Sequence, residues 1–149
     1  MPDHKKILAL NGVNLDLLGK RPASHYGKFS LEELEAKLLH QIQSQSIYEN
    51  IELTTEQTNS ETEFLRLLTA KPYDGIIINP GAWTHTSLAI ADRLEAIDAI
   101  IVEVHISQIL SRESIRQQSL TAKHTSGVIS GFGVDSYLLA LRFIVDKLA

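Results

Sequence analysis

Residues 75–92 decide how the rest of this chain is interpreted, and they read Gly-Ile-Ile-Ile-Asn-Pro-Gly-Ala-Trp-Thr-His-Thr-Ser-Leu-Ala-Ile-Ala-Asp. Three consecutive isoleucines at 76–78 are typical of a parallel strand that is covered on both faces. Pro80 has no N–H to donate to a sheet, so the strand is predicted to end at Asn79. The sequence therefore predicts a buried strand that leads directly into a polar loop.

Polar side chains follow this strand end, and a helical pattern begins soon after them. Ser87 or Thr86 can cap that helix. Asn79 and His85 should then flank one pocket at the carboxyl end of the strand, where open α/β sheets bind ligands. The competing interpretation is a hydrogen-bonded buried amide and an ordinary surface imidazole.

Strand and helix patterns alternate on both sides of this stretch, which indicates an α/β fold with a parallel sheet and helices on both faces. The further strands are predicted at 6–10, 51–55, 100–104 and 128–130. Two helices are predicted to begin at the capping boxes Ser30-x-x-Glu33 and Ser60-x-x-Glu63, a short helix to cover 112–120, and a last helix to cover Asp135–Leu148. Five strands and these helices predict one domain over residues 1–149.

Composition narrows the class of protein. The 149 residues are 44% hydrophobic, which is enough for a real core, and they carry a net charge of −4 without a basic cluster. That balance argues against nucleic acid or an anionic membrane as the main partner. The chain has no cysteine and no His-Glu-x-x-His pairing, so disulfides, thiolate chemistry and such metal sites are not expected. A soluble cytoplasmic protein is the expectation.

Ionisable side chains lie at the end of the fourth predicted strand and shortly after it. Glu103 and His105 are two residues apart, so the alternation of a strand puts both on one face, where the carboxylate can orient the imidazole. Arg112 and Arg116 are four apart and would share one face of the predicted helix, as donors for an anionic ligand. Ordinary surface charge is the alternative for these arginines.

In the segment 18–28 the apolar residues follow neither the period of a helix nor that of a strand, and the segment contains Gly, Pro and Gly. It is predicted to be an exposed loop of functional length. Its Arg21 and Tyr26 are either functional or merely solvated surface residues.

Taken together, these motifs resemble type II 3-dehydroquinase nearly end to end. The resemblance is carried by Asn11-Gly-Val-Asn-Leu15, Arg21 with Tyr26-Gly27, Gln57-Thr-Asn-Ser-Glu61, Ile78-Asn-Pro-Gly-Ala-Trp-Thr-His-Thr-Ser87, Glu103-Val-His-Ile-Ser107 with Arg112 and Arg116, and Gly131-Phe-Gly133 with Tyr137. It implies a flavodoxin-like three-layer sandwich. It also implies a lyase that dehydrates 3-dehydroquinate to 3-dehydroshikimate through an enolate, either in aromatic biosynthesis or in quinate breakdown.

The resemblance also implies roles for single residues. Tyr26 would accept the proton, Arg21 would activate it, and His105 would donate a proton to the leaving hydroxyl. Asn14 would help to hold the enolate through a water, and Glu103 would be the partner of His105.

The implied substrate-binding residues are Asn79, His85, Ile106, Ser107, Arg112 and Arg116, together with Asp92 from a neighbouring subunit. The implied assembly is a homododecamer, a tetramer of trimers, that needs no cofactor or metal. One departure concerns the loop, where the family's Arg-Glu-Pro is Arg21-Pro22-Ala23, a change that bears on loop closure and turnover.

Two other classes of protein remain as alternatives. A flavodoxin-like binding protein for a phosphate-bearing cofactor would need a Ser/Thr/Gly-rich first loop, whereas this one begins Asn11-Gly-Val-Asn. A catalytically weakened family member, acting as a small-molecule-binding oligomer, is the other.

Overall fold

The computed structural model describes residues 3–20 and 28–149, and its centre is a parallel sheet of five strands. The strands lie in the order β2-β1-β3-β4-β5, and all four neighbouring pairs are parallel. Their bounds are Lys5–Asn11 for β1, Ile51–Gln57 for β2, Gly75–Asn79 for β3, Ile100–His105 for β4 and Gly127–Ser130 for β5. The five predicted strands are confirmed, including the end of β3 at Asn79.

In the described part of the chain, four α-helices cover the two faces of the sheet. Their bounds are Leu31–Ser44 for α1, Glu61–Leu68 for α2, Leu88–Glu95 for α3 and Asp135–Leu148 for α4. The serine that precedes each of the first three helices caps it, because the side chains of Ser30, Ser60 and Ser87 accept hydrogen bonds from backbone N–H groups inside the first turn. Of the two predicted caps for α3, the structure selects Ser87.

Alternation along the strands divides the core into two layers. Ile77 packs with α1 and α4 on one side, while Ile76 and Ile78 pack with α2 and α3 on the other. All three isoleucines are fully buried, as expected for the central strand of a doubly covered sheet. The predicted three-layer α/β sandwich is therefore confirmed.

The predicted helix over 112–120 is wrong. The segment forms only a short 3-10 helix, Ser114–Gln117, and then runs in an irregular conformation to residue 120. Two backbone groups near its end bind outside the segment instead, since Leu120 N donates to Thr84 O and the carbonyl of Gln118 accepts from His85. Tertiary hydrogen bonds thus replace the ladder that a helix would have needed.

The strand order fixes where a ligand should bind. After β1 the chain forms β2 on one side of it, and then returns to form β3, β4 and β5 in order on the other side. The direction of winding therefore reverses between β1 and β3. Folds of this order bind ligands in the crevice beyond the carboxyl ends of the strands at that switch point. Within residues 3–20 and 28–149, no helix has the length and apolar character that a membrane crossing requires.

Candidate active site

A pocket lies at the carboxyl ends of β1, β3 and β4, where the strand order predicts it. Its empty space is about 580 Å³, including the part that is open to solvent. The described residues that line it are Val13, Asn14, Leu15, Asn79, Gly81, Ala82, His85, His105, Ile106, Ser107, Ile109, Arg112 and Arg116.

Most of the residues singled out in the sequence meet in this pocket. Those that line it are Asn14, Asn79, His85, His105, Ile106, Ser107, Arg112 and Arg116. Glu103 lies directly behind His105. Asp92 is exposed on α3 and is not among the lining residues. Arg21 and Tyr26 lie outside the described residues.

The end of β4 places a buried histidine–carboxylate pair at the pocket. His105 Nε2 lies 2.9 Å from Glu103 Oε2, and both side chains are buried. They are two residues apart on one strand, so the predicted pairing on one face is confirmed. Burial alone would raise the pKa of Glu103, but hydrogen bonds and charge from His105, with hydroxyl bonds from Thr121 and Ser119, lower it below the ordinary value.

This pKa direction determines how the imidazole is arranged. An ionised carboxylate can only accept hydrogen bonds, so His105 Nε2 carries a hydrogen and donates it to Glu103. The second ring nitrogen, Nδ1, is then available to the pocket that His105 lines. His105 can therefore exchange a proton with a bound molecule at Nδ1, while Glu103 fixes the orientation of the ring.

The end of β3 is held by a network of neutral groups. The hydroxyl of Tyr137 donates to Asn11 Oδ1 at 2.5 Å and accepts from Asn79 Nδ2 at 2.8 Å. Asn79 Oδ1 in turn accepts from the N–H of Gly81 at 3.1 Å. Full burial raises the pKa of Tyr137, with a smaller opposing effect from Asn79, so its hydroxyl keeps its proton and remains a donor. The Asn79 amide therefore has one orientation.

His85 follows in the 3-10 helix Gly81–His85, which reverses the chain after β3. Gly81 has φ of +63°, and a Cβ on it would lie 2.6 Å from Val13 O, so this turn requires glycine. The Nδ1 atom of His85 is 2.6 Å from the carbonyl oxygen of Gln118. A carbonyl oxygen only accepts, so Nδ1 carries the hydrogen and Nε2 is the nitrogen left for the pocket.

Asn14 brings an amide to the rim of the pocket from the loop after β1. Its backbone N–H donates to Asn59 Oδ1 at 2.8 Å, which ties this loop to the loop after β2. Its φ is +67°, which is uncommon for a residue other than glycine, although asparagine tolerates it better than most. Backbone conformations of this kind are concentrated at functional sites. Polar residues that follow β1, β3 and β4 therefore meet in one pocket.

Two arginines supply positive charge at the other side of the pocket. Arg116 Nε lies 2.5 Å from Glu113 Oε1, and Arg112 Nε lies 3.9 Å from Glu113 Oε2. A hydrogen bond from its own backbone and then the Arg116 guanidinium hold the pKa of Glu113 below its ordinary value. The expected helical face does not exist, but the two 3-10 helices around Arg112 still bring both arginines to the pocket. The pocket can therefore bind a small anionic molecule.

Several residues that shape the site were not assigned a role from the sequence. Ser119 and Thr121 reach Glu103 from a segment that was predicted to be helical or unassigned. Asn11 and Tyr137 are 126 residues apart in the chain, and only the fold brings them together. Within residues 3–20 and 28–149, no group of three or more His, Asp or Glu side chains is arranged to hold a metal ion.

Comparison with known proteins gives one consistent answer. The chain matches the family model for dehydroquinase class II over residues 5–145. It is 47% identical over 145 residues to a 3-dehydroquinate dehydratase of Carboxydothermus hydrogenoformans, covering 96% of this chain and 92% of that protein. It is 46% identical over 143 residues to a 3-dehydroquinate dehydratase of Thermotoga petrophila, covering 96% of each.

Solved structures agree with this. The fold is similar to the crystal structure of a type II dehydroquinase from Butyrivibrio crossotus, with a TM-score of 0.89, 36% identity, and coverage of 95% of this chain and 97% of that one. It is also similar to a type II dehydroquinase from Propionibacterium acnes, with a TM-score of 0.85, 35% identity and coverage of 97% and 98%.

Proposed function

This chain belongs to the class II dehydroquinase family, and we propose that it dehydrates 3-dehydroquinate to 3-dehydroshikimate with Tyr26 as base and His105 as acid. The observation that carries the proposal is the carboxylate-bound imidazole of His105 in a pocket that also contains two arginines. Dehydration of 3-dehydroquinate calls for such groups, because this substrate is a carboxylate anion and its leaving group is a hydroxyl that must take up a proton.

The first chemical step removes a proton from the carbon next to the ketone, and the electron pair moves onto the ketone oxygen to form an enolate. Tyr26 is the proposed acceptor of that proton. A phenol is mostly protonated at neutral pH, so it needs neighbouring positive charge to act as a base. Arg21 and Arg112 are the proposed sources of this charge. Asn14, through a water, would stabilise the enolate oxygen.

The second step expels the β-hydroxyl as water. The enolate electrons form the new carbon–carbon double bond as the carbon–oxygen bond breaks, and the hydroxyl takes a proton from Nδ1 of His105. Glu103 supports this donor, since its carboxylate accepts from Nε2 and stabilises positive charge on the ring. The product is a conjugated enone.

Substrate anchoring is assigned to the remaining lining residues. His85 has Nδ1 fixed by Gln118 and Nε2 left for the pocket. Asn79 has both amide groups held by Tyr137 and Gly81 and keeps a second N–H on Nδ2 for a ligand. Ile106 and Ser107 would bind through backbone and side chain, and Arg116 would pair with an anionic group. None of these residues has to change its charge during the reaction.

We also propose the assembly that the family resemblance implies, a homododecamer made of four trimers. Asp92 is exposed on α3. A residue that completes the site of a neighbouring subunit is expected to be exposed in this way when one chain is considered alone. A cytoplasmic location is part of the proposal, and a chain without cysteine does not need an oxidising compartment for disulfides.

Formation of the enone from 3-dehydroquinate, followed by ultraviolet absorbance, tests the proposal directly. The wild-type protein should turn over, and Tyr26→Phe should lower kcat by about 10²–10⁴-fold because it keeps the ring and deletes the acceptor. Arg21→Ala should lose activity at neutral pH and recover part of it as the pH rises. A wild-type protein that binds 3-dehydroquinate without turnover would favour the weakened, binding-only alternative, and near-normal turnover of Tyr26→Phe would remove Tyr26 as the base.

A further inference from the structure

We infer that Ser119 and Thr121 are positioning residues for the proton donor, because their hydroxyl groups hold the carboxylate that holds His105. Ser119 Oγ lies 3.1 Å and 3.0 Å from the two carboxylate oxygens of Glu103, and Thr121 Oγ1 binds Oε1 of the same group. This inference rests on the proposed function, since it takes His105 as the acid of the dehydration.

Counting hydrogens fixes the direction of each of these bonds. A hydroxyl has one hydrogen and two lone pairs. Ser119 Oγ accepts from the backbone N–H of Thr121 at 3.2 Å and from that of Ala122 at 3.0 Å, which occupies both lone pairs. Its single hydrogen can then go only to Glu103 or to Thr121 Oγ1, which is 3.1 Å away, and the ionised carboxylate is the stronger acceptor. The Thr121 hydroxyl cannot donate to a filled Ser119 oxygen, so it donates to Glu103 as well.

The result is a carboxylate surrounded by donors. Glu103 accepts from Ser119, Thr121 and His105, and its side chain is fully buried. A protonated Glu103 would put its own O–H against one of these donors, which costs a buried hydrogen bond. The two hydroxyls therefore hold Glu103 in its ionised form and in one rotamer, and in that rotamer the carboxylate accepts from Nε2 of His105.

The same short segment also reaches the second histidine of the pocket. The carbonyl of Gln118 accepts from His85 Nδ1, and Leu120 N donates to Thr84 O at 2.9 Å. Segment 118–121 thus contacts the ends of both β3 and β4. Side chains at 119 and 121 point to Glu103, while the backbone at 118 and 120 binds the turn that contains His85.

The neighbourhood of Glu103 leaves few other groups that act on its charge. On the adjacent strands its register partners are Ile78 of β3 and Val128 of β5, which are apolar. Among the described residues, the groups that shift the pKa of Glu103 besides burial are His105, Thr121 and Ser119. Loss of a hydroxyl should therefore act on Glu103 directly.

The test compares Thr121→Val and Ser119→Ala with Thr125→Val in the enone assay over a range of pH. Thr121→Val is the primary variant, because it keeps the shape of the side chain. Thr125 is a matched control in the same loop, since its hydroxyl binds the carbonyls of Ala122 and Gly127 instead of Glu103.

We expect kcat to fall about tenfold in Thr121→Val and in Ser119→Ala, which is the effect of losing one hydrogen bond to a charged group, while KM stays within about twofold of the wild-type value. Thr121→Ser should restore kcat.

The pH dependence gives a second readout that a merely structural role would not move. The hydroxyls help His105 to keep the pKa of Glu103 below its ordinary value, so the carboxylate stays ionised until the pH falls through that lowered pKa. Without them the pKa rises, and activity should be lost at a higher pH on the acid side of the profile. Thr125→Val should keep the wild-type profile.

Nitrogen NMR of the His105 ring separates this inference from the proposed function. The wild type should show a hydrogen on Nε2 in the neutral ring, and the deletions should show a mixture of both tautomers even if the protein has no dehydratase activity. The inference would be overturned if Thr121→Val and Ser119→Ala fold and match Thr125→Val in three properties. These are kcat, the pH at which activity is lost on the acid side, and the tautomer of the His105 ring. Should Ser119→Ala fail to fold, Thr121→Val and its Thr121→Ser rescue decide alone.

Discussion

The ends of β3 and β4 lie side by side at one pocket, yet they are held in opposite ways. At β4 the partner of His105 is an ionised carboxylate that two hydroxyls bind in turn. At β3 the partners of Asn79 and His85 are a neutral phenol and a backbone carbonyl. A carboxylate stabilises positive charge on an imidazole, whereas a carbonyl fixes only which nitrogen carries the hydrogen.

This difference assigns different tasks to the two strand ends. The β4 end can gain and lose a proton without losing its geometry, because Glu103 accepts from His105 in both charge states of the ring. The β3 end has donors and acceptors in fixed positions and, among the described residues, neutral hydrogen-bond partners, which suits recognition of hydroxyl and carbonyl groups. Proton transfer is therefore expected at β4, and anchoring at β3.

The largest expected effect is that of replacing the histidine at each end. His105→Ala should lower kcat by about 10²–10⁴-fold, the usual contribution of a positioned acid, with a small change in KM. His85→Ala should act mainly on KM, raising it by about tenfold as one hydrogen bond to the substrate is lost. Steady-state kinetics of the enone assay measure both.

His40→Ala is the control for this pair, since His40 is exposed on α1 and far in sequence from the pocket loops. It should leave kcat and KM unchanged. Equal losses of kcat in His105→Ala and His85→Ala would erase the distinction between the two ends, and a pure KM effect of His105→Ala would reverse it.

A smaller effect is expected from Tyr137→Phe, which tests the neutral network of β3. The change leaves Asn11 Oδ1 and Asn79 Nδ2 without their buried partner. We expect the free energy of unfolding to fall by about 1–3 kcal/mol, and KM to rise several-fold more than kcat falls, because Asn79 loses its fixed orientation. Denaturant melts and kinetics give the two numbers.

Tyr48→Phe is a matched control for this change. Tyr48 is also buried, but its hydroxyl accepts only a 3.3 Å bond from Gln41 among the bonds of the described residues, and it lies just before β2. Its replacement should cost less stability and leave KM unaltered. If both variants had the same KM as wild type, the network around Tyr137 would serve stability alone.

The sequence predicts what depends on local pattern. The isoleucines at 76–78 identify β3, the serine caps identify three helix starts, and the spacing of Glu103 and His105 puts them on one face. Each of these signals lies within a few residues of the chain and reflects the period of a strand or the free N–H groups of a helix terminus.

What the sequence misses depends on partners that are distant in the chain. Residues 112–120 look helical by themselves, but the bonds of Gln118 and Leu120 to the turn after β3 prevent a continuous helix. Ser119 and Thr121 look like ordinary loop residues until the fold brings them to Glu103. Hydrogen bonds of this kind depend on the tertiary structure, and no local periodicity in the sequence predicts them.

The smallest expected effect is that of Ser87→Ala, which asks how far the anchoring end extends beyond His85. Ser87 Oγ accepts from Ile90 N at 3.0 Å and donates to Glu61 Oε1 at 2.6 Å, so it caps α3 and ties it to α2. Loss of such a cap costs about 1 kcal/mol of unfolding free energy, and Ser30→Ala at the start of α1 should cost a similar amount. His85 is held by Gln118, a bond that the cap does not touch, so we expect kcat and KM of both variants to equal those of the wild type. A rise in KM for Ser87→Ala alone would mean that the β3 end depends on the start of α3, and the boundary between anchoring groups and scaffold would then lie beyond residue 87.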